Sequence, residues 1–65
     1  MTQKDQLKLL NAGFLIIRED PTALSIKIKS DQAPNWHRHS GPFKSKAELR
    51  RAMDKLLTNS HVVED

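Results

Sequence analysis

A chain of 65 residues with a formal net charge of +3 makes a single small domain, able to bury only about 60% of the surface its unfolded form exposes. It has no cysteine, which excludes disulfide staples, thiolate metal sites and thiol redox chemistry. Charged residues at 29% and hydrophobic residues at 37% describe a folded, soluble chain rather than a disordered one. The longest apolar run, Phe14-Leu15-Ile16-Ile17, is too short to cross a membrane. The first residues carry no signal-peptide h-region. These features together predict a cytoplasmic protein with no membrane partner.

Residues 4–12 read as a short helix, with Leu7 and Leu10 on one face and Gly13 as its stop. Phe14 to Glu19 has the aromatic and β-branched content of a strand. Asp20-Pro21-Thr22 is a turn, because proline presets φ at the second turn position and aspartate favours the first. Leu24-Ser25-Ile26-Lys27-Ile28-Lys29 alternates throughout. Leu24, Ile26 and Ile28 therefore share one sheet face, and Ser25, Lys27 and Lys29 the other. The two strands make a hairpin. A polar loop leads to a third, shorter strand, Trp36 to Ser40, which Gly41-Pro42 ends.

Ser45-Lys46-Ala47-Glu48 is a capping box: Ser45 accepts from the N–H of Glu48, and the Glu48 carboxylate reaches back to Ser45. Leu49, Ala52, Met53, Leu56 and Leu57 then form the apolar stripe of a helix, with Arg50 and Asp54 as an i,i+4 ion pair. A short extended tail follows at His61-Val62-Val63. The fold class expected is α+β in the order α-β-β-β-α, a three-stranded antiparallel sheet packed by the Ser45–Leu57 helix. Its core is drawn from Leu15, Ile17, Leu24, Ile26, Ile28, Leu49, Met53 and Leu56. Strand one is apolar on both faces, and a one-residue change of register would exchange Leu15 and Ile17 for Phe14 and Ile16. Either the first helix covers its second face, or the strand is central, or a partner covers it.

Catalytic patterns are missing. The serines lie in no nucleophile elbow, Glu19-Asp20 is turn chemistry, and two glycines make no phosphate-binding loop. His37 and His39 fall on one side of a strand, as some zinc pairs do, but no cysteine assists. Solvent-facing imidazoles are the simpler reading. No enzyme activity, metal or cofactor is expected.

The basic residues carry the functional expectation. Lys27 and Lys29 line one sheet face and Arg38 extends it. Lys44, Lys46, Arg50 and Arg51 mark the start and outer face of the second helix. Lysines, arginines and helix N–H groups in this mixture bind phosphate backbones. Trp36 is either a core residue or a ring on which bases stack. The expected function is a small non-catalytic nucleic-acid-binding domain with DNA or RNA as partner. The alternative is a protein-interaction or regulatory module, self-associating or binding another protein through the second apolar face of strand 14–19.

The stretch His39-Ser40-Gly41-Pro42-Phe43-Lys44-Ser45-Lys46-Ala47-Glu48-Leu49 resembles the strand-to-helix junction of the N-terminal DNA-binding domains of tyrosine recombinases. In that family a three-stranded sheet enters the major groove and a C-terminal helix backs it. The resemblance covers residues 36–57 and implies groove or phosphate contacts for Lys27, Lys29 and Arg38. The element order is also similar to that of double-stranded-RNA-binding domains, without their Gly-Pro-x-His loop or Lys-Lys-x-Ala signature. Gly-Pro-Phe-x-Ser-x-x-Glu is similar to the peptidoglycan-binding SPOR domain, an envelope family, whereas this chain shows no export signal.

Overall fold

The computed structural model describes residues 2–65. Helix α1 spans Gln3–Asn11 and is followed by strands β1 (Leu15–Asp20), β2 (Ser25–Lys29) and β3 (His37–Ser40). Helix α2 (Lys46–Leu57) and strand β4 (Val62–Glu64) complete the chain. The fold is α+β, as its alternating and helical hydrophobic patterns predict. The sheet is not the expected three-stranded antiparallel one. It has four strands in the order β3-β2-β1-β4, and β4 pairs parallel to β1, with Leu15 opposite Val62 and Ile17 opposite Glu64. Helix α2 carries the chain from one sheet edge to the other and returns it in β1's direction, which is the connection parallel pairing needs.

One layer of core lies between α2 and the sheet. Ile17, Ile26, Leu49, Met53 and Val62 are buried there, with Leu15, Ile28, Phe43, Ala52, Leu56 and Leu57 packed around them. Register explains the set, since Ile17 pairs with Ile28 and Glu19 with Ile26, placing these side chains on α2's face. Ile16 points the other way and is fully buried, as is nearly all of Leu10, on the face where α1 packs on β1. The two-sided apolarity of strand one therefore has an internal cause: β1 is a central strand with a helix on each side. The choice between Leu15/Ile17 and Phe14/Ile16 dissolves, because Ile17 fills one layer and Ile16 the other.

Two expectations at the hairpin need correction. The turn occupies residues 21–24, and Leu24 sits at its end with φ 48°, so it leaves the alternation and the core set. Ser25, expected on a solvated face, is fully buried. The chain passes over it at Gly41, where a Cβ would lie 2.8 Å from that of Ser25. Among the described residues the Ser25 hydroxyl has no hydrogen-bond partner. Gly41 has φ 112°, a conformation that favours glycine. The Phe43 N–H donates to the Leu24 carbonyl (2.8 Å), fixing the path from β3 into α2. The helix start follows the capping-box logic with one change. The Ser45 hydroxyl accepts from the Glu48 N–H (3.2 Å), while the Glu48 carboxylate accepts from the N–H of Lys44 rather than Ser45 (3.2 Å).

Candidate nucleic-acid interface

The sheet face turned away from α2 is covered only in part by α1, and its open portion concentrates positive charge. Arg18 on β1 lies opposite Lys27 on β2, and Lys27 lies opposite Arg38 on β3. Three cations thus form a row across three strands, spanning about 10 Å at ordinary strand spacing. Like charges placed directly opposite one another destabilise a sheet by roughly 0.2–1 kcal/mol per pair. Asp20 offsets the row in part, 4.0 Å from the Lys27 ammonium. Arg18 and Arg38 are exposed.

Trp36, just before β3, packs on this face against two of its cations. The Arg18 guanidinium carbon sits 4.6 Å from the centre of the indole, and the Lys29 ammonium sits 4.5 Å from it. Since Arg18 comes from β1 and Lys29 from β2, the ring reaches across the sheet rather than into the α2 core. Its negative π-face attracts both cations and holds two flexible side chains in place. Trp36 is half-buried, so the core reading gives way to that of a surface platform.

Lys27, Lys29, Trp36 and Arg38 therefore come together, and Arg18 joins them. Arg18 is the residue that sequence reasoning missed. Its signal was its place in the Phe14, Ile16, Arg18 alternation, which a four-residue turn sets opposite Lys27. The helix residues belong elsewhere. Lys44, Lys46 and Arg51 are exposed on the α2 layer, across the sheet from this face. Arg51 lines a shallow hollow with Phe43, Glu48, Ala52 and Lys55. The helix start is less open to an anion than expected, because Ser45 and Glu48 already satisfy N–H groups there.

Arg50 is occupied. Its guanidinium forks onto Glu64 of β4 with two contacts of 3.0 Å, reaches Glu19 of β1 at 3.4 Å and pairs with Asp54 at 3.0 Å. Hydrogen bonds to Glu64 and then Glu19 raise its pKa further above the ordinary arginine value. Arg50 thus ties α2 to β1 and β4, with its guanidinium engaged by three carboxylates.

The histidines do not converge. His37 Nδ1 lies 3.0 Å from the Asn35 carbonyl. His39 is the extra residue of a β-bulge, since Arg38 pairs with Lys27 and Ser40 with Ile26. His61 stacks at a tilt on Phe14, 5.8 Å between ring centres. Among the described residues no group of three or more His, Cys, Asp or Glu could hold a metal ion. No helix among them is long and apolar enough to cross a membrane. Comparison with known proteins finds no family model, no curated protein and no solved structure that matches the chain.

Proposed function

We propose that this chain is a small non-catalytic domain that binds nucleic acid through the open face of its sheet, gripping the phosphate backbone. The observation that carries this reading is the Arg18–Lys27–Arg38 row. A fold of this size has little stability to spare, yet it sets like charges side by side where alternating charges would serve solubility equally well. A polyanion repays that repulsion. Lys29 adds a fourth cation, with Trp36 beside it. The local resemblance of residues 39–49 to the recombinase junction points the same way, and a cytoplasmic location accompanies the reading. The rival reading, a protein-interaction or regulatory module that binds itself or another protein through the second face of strand 14–19, has less support, because Ile16 is fully buried within the chain.

The test is a titration of ¹⁵N-labelled protein with short DNA and RNA, single-stranded and duplex, at several salt concentrations. Engaging three or four phosphates lowers affinity roughly 20- to 150-fold between about 50 and about 200 mM salt. Shifts are expected at Arg18, Lys27, Lys29, Trp36 and Arg38. If no nucleic acid binds at the lowest salt, the proposal is wrong.

A further inference from the structure

Resting on that reading, we infer that the face selects single-stranded nucleic acid over duplex, with an unpaired base stacked on the platform that Trp36 and Arg18 build together. The phosphate row alone does not discriminate, because single and double strands both offer phosphates. The indole does. In a duplex the π-faces of the bases are buried in the stack and only their edges reach the grooves, so an aromatic ring at the surface has no base face to stack on. Unpaired bases expose those faces and stack on aromatic rings or on arginine planes.

The arrangement offers both. Arg18 is exposed, with its guanidinium carbon 4.6 Å from the ring centre, and an exposed guanidinium plane is itself a surface on which a base can stack. Lys27 and Arg38 lie one and two strands away along the same row. A strand crossing the sheet from Arg18 toward Arg38 meets the stacking platform first and the phosphate ligands next. Specificity for a particular base is not built in, because the face presents cations and a ring rather than a pattern of amides.

The chain supplies its own reporter. Trp36 is the sole tryptophan and there is no tyrosine, so intrinsic fluorescence reads this site alone. The experiment titrates the full chain with three probes of equal length, about 10 nucleotides each: oligothymidylate, an abasic oligonucleotide with the same phosphates, and a duplex. Affinity comes from the anisotropy of the labelled probe and stacking from Trp36 emission. The expected result is binding of oligothymidylate about tenfold or more tighter than the abasic strand, given the usual worth of one stacked base. It should also bind more tightly than the duplex, with Trp36 emission changing only for oligothymidylate.

Arg18→Lys separates charge from plane. It should keep the salt dependence of binding while losing most of the preference for bases over abasic sites. Arg18→Gln should weaken all three probes. Equal affinity for the abasic strand and oligothymidylate, or tighter binding to duplex with unchanged emission, overturns the single-strand inference while nucleic-acid binding stands. Failure of all three probes to bind at low salt overturns both.

Discussion

The two glycines offer a controlled measurement of how tightly the β3–α2 connection is packed. Both have positive φ, 91° at Gly13 and 112° at Gly41, so an alanine at either pays a conformational cost of about 1–2 kcal/mol. Their surroundings differ. A Cβ at Gly13 meets nothing within 4 Å, whereas one at Gly41 lies 2.8 Å from the Ser25 Cβ, 2.9 Å from its Cα and 3.0 Å from the Leu24 carbonyl oxygen. Those neighbours are strand backbone and its first side-chain atom, which cannot swing aside. Overpacking of this kind adds about 1–3 kcal/mol. Gly41→Ala should therefore cost about 2–5 kcal/mol, set against a total stability of about 3–10 kcal/mol for a domain of this length. Thermal unfolding by circular dichroism reads the difference. At roughly 4–8 °C per kcal/mol, Gly13→Ala should melt about 5–15 °C below the parent chain and Gly41→Ala lower again by a further 5–20 °C or so. Equal losses for the two variants would refute the close approach of the connection to Ser25, and with it the account of why that serine is buried.

Three further outcomes follow from the same contacts. Arg50→Met removes the anchor shared by Glu64, Glu19 and Asp54, so the amide of Asp65, which donates to the Ile17 carbonyl at 2.8 Å, should exchange with deuterium faster. Unchanged protection would mean that main-chain pairing alone holds β4. Arg38→Thr relieves the repulsion with Lys27 and places a better strand former in β3. It should raise stability by up to about 1 kcal/mol in urea unfolding, while affinity for nucleic acid falls. A variant that loses both would show that the row is not a binding feature kept at the expense of stability. The double variant Lys46→Gln, Arg51→Gln lies across the sheet and should leave the affinity for oligothymidylate within about twofold at moderate salt, where charges a Debye length away are screened. A tenfold loss would shift the interface to α2.

Much of this fold is legible because its local rules agree. The stripe from Leu49 to Leu57 and the Ser45 cap define α2, and the Ile26, Lys27, Ile28, Lys29 alternation defines β2 and its two faces. Legibility ends where tertiary pairing decides. Val62-Val63 is too short a run to declare a strand, and becomes one only because α2 delivers it to the free edge of β1. Arg50 shows one partner in the sequence, Asp54, four residues on. Glu19 reaches it because α2 packs over β1, and Glu64 because β4 pairs beside β1, so a residue that reads as a free cation is in fact neutralised. Leu24 reads as core by alternation, but a four-residue turn consumes it at φ 48°. The proposed interface is half legible: Lys27 and Lys29 follow from period two, whereas the place of Arg18 beside them and of the helix cations on the other layer depends on register and layering.

The parallel pairing also makes the two edges of β1 differ in how far along the chain their partners lie. β1 finds β2 across a short hairpin, a contact that closes early and cheaply. Its other edge waits for residues 62–64, which must cross the sheet behind α2 before the His61 carbonyl can meet the Leu15 N–H at 2.7 Å. A ribosome-bound or partly folded chain therefore carries Leu15-Ile16-Ile17 as an unpaired apolar edge, the kind of template that recruits other strands. Strand β4 is small in area, yet it covers the edge of β1 that its apolar residues would otherwise leave unpaired.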